Sequence, residues 1–596
     1  MPRIQLRLSI VSVAALALLA PSRTSAANPS GNAYLVHYLV ADQPGIADFT
    51  DPNLVNPWGL YTSGSSPFWV NDAGTGMATV YSSNGTPSAT KPTVPPSAKG
   101  TAPALATGGV FNATGGFLVQ GKAPNFIFTT GDGTVSAYVS SISTSQAQLM
   151  VDNSSSGAIY YGLAISATAA TAAPMLYAPN FASGAIDVFD TNYKPVTLPG
   201  TPFVDSAVPK GYAPFNIWNL GGKLYVMWAQ QNSGKNFAVS GAGLGAVSIF
   251  DLNGNLLQHV AAGGPLNAPW GVAIAPATFG AFANDLLVGN FGDGAINAFD
   301  PTTGAALGAL ADQNGNTIAL HGLWALLVGN GGSGGDANAI YFAAGTGGQK
   351  HGLLGSIQAG PTLTGVANAA DTVSGIAAST FISIYGANLA PITRNWTFSD
   401  FNGTKLPTSL DGVGVTVNGK AAYVYYISPK QIDVLTPVDT TTGPVQVVVT
   451  DNGLVGASMQ ATLQTYSPAF FLLKDNASIA AIHLGGALVG ATTLYPGISF
   501  PAQPGESISL FGTGFGATNP AISDGTIVAA PQAVTTLPTV TIGGAAAQVT
   551  YAGLISAGVY QINATVPPTL PDGNATVIAT VGGIASASNA VIAVQH

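Results

Sequence analysis

"LLVGNFGDGAINAFDPTTGAALG" (residues 286–308) is the stretch whose reading decides the fold. Its glycines at 289, 292 and 294 resemble a phosphate-cradling loop, but the same letters also describe a tight turn between two strands. A phosphate loop opens a helix, whose N-terminus supplies free N–H groups and a favourable dipole. Here a second apolar strand, "GAINAFD", follows instead, and Asp293-Gly294 is a hairpin-turn pair. Asp132-Gly133 and Ser183-Gly184 occupy the same place in two similar segments. The stretch therefore reads as a strand–turn–strand unit, and no nucleotide site is expected in it.

The unit recurs outward in both directions. A Gly-containing apolar strand comes first, as in "NPWGLY" (56–61), "TGGVFN" (107–112), "YYGLAIS" (160–166), "APFNIW" (213–218), "APWGVAI" (268–274) and "LHGLWAL" (320–326). Each is followed by an apolar strand, a polar turn and, in most units, another strand. With Gly59, Gly109, Gly162, Asn216, Gly271 and Gly322 as markers, the intervals are 50, 53, 54, 55 and 51 residues. A period of about 50 with three or four strands per unit is the signature of a β-propeller. Six units predict six blades. The early strand "NAYLVHYLVAD" (32–42) is available to join the last blade and close the ring. The Gly-rich runs at 241–247 and 329–339 read as connections.

Composition agrees with an all-β chain. Of 596 residues only 7% are charged and 47% are hydrophobic, with 75 Gly and 40 Pro. Glu506 is the sole glutamate, so long solvated helices are not expected. A net charge of -9, with no basic cluster after the first residues, argues against nucleic acid as a partner. Arg3 and Arg7, the apolar stretch Leu8 to Ala20 and the small residues Thr24-Ser25-Ala26 predict a signal peptide over 1–26. The expected destination is periplasmic, cell-surface or extracellular, with no transmembrane segment after cleavage.

The C-terminal third carries a different duplication. "FISIYGANLA" (381–390) matches "SISLFGTGFG" (507–516), and "QIDVLTPVD" (431–439) matches "QINATVPPT" (561–569). Both copies alternate as strands with frequent turns, which predicts two immunoglobulin-like sandwiches. The expected organisation is a six-bladed β-propeller over 27–358, a linker over 359–366 and immunoglobulin-like modules over 367–466 and 467–596.

The stretches "DPNLVNPWGL", "GYAPFNI", "LNAPWGVAIAP", "LLVGNFGDGAINAFDP" and "HGLWAL" resemble an uncharacterised family of exported bacterial propellers, similar in shape to NHL-repeat propellers. "SIYGANLAP", "YYISPKQIDVLTP", "PGESISLFGTGFG" and "YQINATVP" resemble the Solibacter-type uncharacterised C-terminal domain, whose units look like IPT/TIG modules. These resemblances imply fold and leave activity open.

No cysteine is present, no His-Glu-x-x-His and no Gly-x-Ser-x-Gly strand-to-helix elbow occurs, and the six histidines are scattered singly. No catalytic residues are expected. Aligning the repeats instead places Trp58, Tyr161, Phe215, Trp270 and His321 at one position, with Gly108 in the second repeat. Asp72, Thr130, Asn180, Trp228 and Asn290 fall together at the end of the next strand. If both sets rim the channel, they form an aromatic and amide-lined mouth for a glycan, another small polar ligand or a protein partner. The bland alternative is that the rings wedge between blades as core and that the Asn and Asp residues form turns. The expected function is an exported, non-catalytic binding or scaffold protein without a cofactor. The rivals are a hydrolase or lyase with Ca²⁺ held by Asp and Asn oxygens, and a purely structural envelope or matrix protein.

Overall fold

The computed structural model describes residues 32–166, 173–371 and 375–596. The expected signal peptide lies outside them. Among the described residues the chain is almost entirely β, as its poverty in helix formers predicts.

Six small antiparallel sheets form the blades. Their innermost strands are Pro57–Tyr61, Ala106–Phe111, Ala164–Ile165, Tyr212–Leu220, Pro269–Ile274 and Leu323–Val328. Each inner strand touches the next, and the sixth touches the first, so the ring is closed. Tyr34–Ala41 supplies the fourth strand of the sixth blade by pairing antiparallel with Leu353–Ala359, and the two-residue strand Phe49–Thr50 pairs parallel with it at the edge. The first and last segments of the propeller thus lock each other, which removes an open seam.

The opening stretch sits in the fifth blade. Leu286–Asn290 pairs antiparallel with Ile296–Phe299, and Asn290 N–H donates to Ala295 O at 2.9 Å across the turn. Gly294 takes φ +78°, and a Cβ there would lie 2.4 Å from the Leu320 carbonyl. It is a hairpin turn pressed against the neighbouring blade. The glycine that marks each repeat has a related cause. A Cβ on Gly59 would lie 2.5 Å from Thr107 O, and one on Gly271 would lie 2.6 Å from Trp324 O. Inner strands crowd at the axis, and only glycine lets the backbones approach so closely.

Crowding leaves the inward edge of each inner strand without a sheet partner. Buried side chains satisfy it. Asn71 Nδ2 donates to Thr107 O at 3.2 Å and Gly108 O at 2.7 Å, and Thr107 Oγ1 donates to Tyr160 O at 2.7 Å. Thr129 Oγ1 donates to Gly162 O at 3.1 Å, and Asn216 Nδ2 to Trp270 O at 2.8 Å. This accounts for uncharged Asn and Thr where a core would otherwise be apolar.

Only Gly360 and Pro361 separate Leu353–Ala359 from the next strand, Thr362–Asn368, which pairs with Phe381–Ala387. The connection is therefore shorter than 359–366, because "TLTGVAN" is the first strand of the following sandwich. That sandwich packs Ile382, Ile384, Val415, Val424, Val434 and Val447 between two sheets. A second core gathers Ile508, Leu510, Val540, Ile562, Val577 and Ile592. In it the long strand Ala545–Ser556 pairs with Thr539–Ile542 at one end and Val559–Thr565 at the other. The two sandwiches join directly, with Leu406 N–H donating to Gly525 O at 2.8 Å and Ile527 N–H to Thr404 O at 2.9 Å.

Candidate functional site

The propeller axis has two unlike ends. Where the inner strands begin, a bulge throws one residue of most strands toward the axis, as Trp270 between the pairs Pro269↔Asn290 and Gly271↔Gly289. Trp58, Phe215 and Trp324 sit in corresponding bulges. The rings meet. Trp58 stacks on Trp324 at 3.5 Å between centroids and meets Trp270 edge-on at 6.2 Å and Tyr161 at 5.1 Å. Phe237 and Phe291 cover them from loops, with Phe291 stacked on Trp324 at 4.1 Å.

This is a plug, not a mouth. Trp58 and Trp270 are 1% exposed, Tyr161 3% and Phe215 0%. Hydrogen bonds fix several of them: Trp270 Nε1 donates to Tyr161 O at 3.1 Å, and Trp324 Nε1 to Asn56 Oδ1 at 3.2 Å. The sequence alignment brought Trp58, Tyr161, Phe215 and Trp270 together as the structure does, but as packed core. Two positions need correction. His321 is exposed and precedes the sixth inner strand; Leu323 pairs with Ala344, so the bulged residue is Trp324. In the second blade Thr107 shares the bulge with Gly108.

The second set also gathers, one residue from each of the first five blades, facing Pro57, Ala106, Tyr160, Pro214 and Pro269. Asn290 Nδ2 donates to Pro265 O at 2.8 Å and Asp293 Oδ1 at 3.1 Å, while its Oδ1 accepts Asn267 N–H at 3.1 Å. Asn180 likewise accepts Ile159 N–H at 3.3 Å and donates to Asp187 Oδ2 at 3.1 Å. These amides pin turns. Trp228 Nε1 donates to Ser248 Oγ at 3.0 Å, and Asp205 Oδ2 accepts from Ser248 Oγ at 2.7 Å and lies 2.7 Å from His259 Nδ1. Burial alone would raise the Asp205 carboxyl, but hydrogen bonds from His259 and Ser248 outweigh it and hold the group below its usual value.

Asp72 is different. It is fully buried, Thr79 Oγ1 donates to its Oδ2 at 2.7 Å, and its Oδ1 meets no protein donor. Burial pushes its carboxyl well above the usual range, and Asp51 adds to the effect. Among the described residues no group of three or more His, Asp or Glu side chains is placed to hold a metal ion.

The open end lies at the other side, where the inner strands finish. Tyr61, Phe111, Ile165, Trp218 and Leu327 line a cavity of about 650 Å³ there. A second lobe of about 430 Å³ shares Trp218, Asn219, Gly221 and Leu327 with it and reaches Val272, Ile274 and Val328. Together they form one funnel on the axis, divided by the half-buried Trp218. Its lining carries no charged side chain. The sequence held a signal for it: Tyr61, Phe111 and Trp218 each follow a repeat marker by two residues.

The IPT/TIG domain family matches residues 372–466. The chain is 11% identical to virginiamycin B lyase from Staphylococcus aureus, a likeness with TM-score 0.30 that covers 68% of this chain and 100% of that one. Uncharacterized protein R648 of Acanthamoeba polyphaga mimivirus is 34% identical over 333 residues, 54% of this chain and 79% of that protein. Uncharacterized protein L690 of the same virus is 30% identical over 333 residues, 54% of this chain and 85% of its own length. Both relatives are viral, where the sequence resemblance pointed to exported bacterial proteins. With four-fifths or so of each relative aligned at this identity, the chain belongs to the family of the mimivirus proteins R648 and L690.

Proposed function

We propose that the chain is a non-catalytic binding protein that works outside the cytoplasm, its propeller a ligand-binding head and its two immunoglobulin-like modules an arm. The observation that supports this reading is the funnel. It is concave, lies on the propeller axis, draws its walls from all six blades and has the size of a small-molecule site. The aromatic plug closes the axis behind it, so the funnel is a blind pocket. Asn71, Thr107, Thr129 and Asn216 of the propeller interior are engaged in holding blades together, and the funnel lining carries no charged side chain, which favours binding over chemistry at this site.

The test is a thermal-shift screen of small molecules and short peptides against the chain from residue 27 onward. Ala113→Trp, an exposed position on the funnel wall, serves as the blocked control. Compounds that stabilise the parent chain and leave the variant unmoved support the reading. A screen in which every stabilising compound acts equally on both overturns it.

A further inference from the structure

We infer that the funnel takes an uncharged, mainly apolar ligand carrying a flat ring system, and not a glycan or an ion. The inference rests on the binding reading above and names its ligand class.

Three observations carry it. The first is charge: neither lobe is lined by Asp, Glu, Lys, Arg or His. A charged ligand entering would shed water and find no counter-charge. The second is that most polar side chains on the wall are already engaged, which leaves Thr62 Oγ1 and the Trp218 indole N–H as the side-chain groups open to a ligand. Tyr61 Oη donates to Asn71 Oδ1 at 2.5 Å. Asn219 Nδ2 donates to Ile165 O at 2.8 Å, and its Oδ1 accepts Gly222 N–H at 2.9 Å. Thr114 Oγ1 donates to Asn112 Oδ1 at 2.6 Å and accepts Gly116 N–H at 3.1 Å. A sugar would give up several hydrogen bonds to water and regain few, a poor exchange for a hydroxyl-rich molecule.

The third observation is shape. Trp218 stands half-buried between the lobes with Leu327 beside it, and Phe111, Ile165 and Leu252 complete the wall. Two apolar lobes on either side of an indole suit a ligand with one planar part on each side, or one ring system laid against the indole face. The volumes, about 650 and 430 Å³, lie in the range of pockets for drug-sized molecules.

The probe is N-phenyl-1-naphthylamine, a neutral bicyclic fluorophore, titrated into the chain from residue 27 onward. Anilinonaphthalene sulfonate serves as its anionic counterpart, with malto- and chito-oligosaccharides as competitors. The expected result is one neutral probe per chain at micromolar concentration, at least tenfold weaker binding of the anion, and no displacement by saccharides at millimolar concentration. Ala113→Trp, exposed at the rim, should weaken the probe at least tenfold with unchanged melting temperature, and Leu252→Lys, part-buried at the rim, should weaken it likewise at some cost in stability. Displacement by a saccharide, or a saccharide that perturbs Trp218 while the probe stays unbound, overturns the ligand class and leaves the funnel a binding site. Equal probe binding by the parent and both rim variants, or no binding of any compound at the funnel, overturns the class and the binding reading together.

Discussion

Replacing Trp270 by alanine separates a plug from a binding wall. The indole is 1% exposed, meets Trp58 and Trp324 edge-on at 6.2 and 5.9 Å, and donates to Tyr161 O at 3.1 Å. A buried indole removes up to about 250 Å² from water, which at about 25 cal/mol per Å² sets an upper bound of roughly 6 kcal/mol. Residual burial in the unfolded chain lowers this figure. The orphaned Tyr161 carbonyl and the cavity raise it again, and about 4 kcal/mol is the expected cost. For a propeller of roughly 330 residues, with an unfolding entropy near 0.7 kcal/mol per degree, that is a fall of about 6 °C in its melting transition. Differential scanning calorimetry of the parent and variant chains reads it directly. A shift below about 1 °C would mean that the indole is not core, and the plug would have to be abandoned.

Three further outcomes follow from buried groups in the blades. Asp72→Asn should stabilise the chain at neutral pH, because burial holds the folded carboxyl uncharged well above the unfolded value. Stability carried by that shift is present below about pH 4 and lost as pH rises, so denaturant titrations should show the variant's advantage growing from pH 4.5 to 8. Asp205→Ala should cost about 1–3 kcal/mol at pH 7, since it strips Ser248 and His259 of their shared acceptor. The folded Asp205 carboxyl is lowered, so its contribution is present above about pH 4 and lost on acidification, and the gap between parent and variant should narrow there. Gly108→Ala should destabilise the propeller strongly, because the new methyl would lie 2.4 Å from the Gly162 carbonyl carbon, whereas Gly64→Ala meets open space and should melt like the parent in the same calorimeter.

Much of the fold was readable because propeller geometry imposes itself on the residue order. Marker glycines such as Gly59 and Gly271 recur because inner backbones crowd at the axis, and Asp-Gly and Ser-Gly pairs recur because each hairpin turns the same way. The ring-closing strand was readable because an unpaired β segment at the start of a ring needs a partner at its end. The candidate site was only half readable. Repetition correctly gathered Trp58, Tyr161, Phe215 and Trp270, but period alone cannot tell a ring that faces a cavity from one that fills it. Phe237, which caps the plug, lies in an insertion that breaks the repeat, so nothing periodic pointed to it. His321 was aligned on Gly322, yet Gly322 forms a turn at φ +77° and the bulge falls at Trp324. Linker length was misjudged for a local reason: Gly360-Pro361 and Gly365 look like punctuation, while Leu363 and Val366 pack into the sandwich.

The central claim is that the axis is shut at the plug and open at the funnel, and fluorine NMR tests it most directly. The chain has seven tryptophans, so 5-fluorotryptophan labelling yields seven resonances, assignable by single Trp→Phe variants. Exchange of H₂O for D₂O should shift Trp218 and leave Trp58, Trp270 and Trp324 unmoved, and a ligand of the propeller should perturb Trp218 first. A solvent shift at Trp58 or Trp270, with Trp218 silent, would place the opening at the other end and contradict the account.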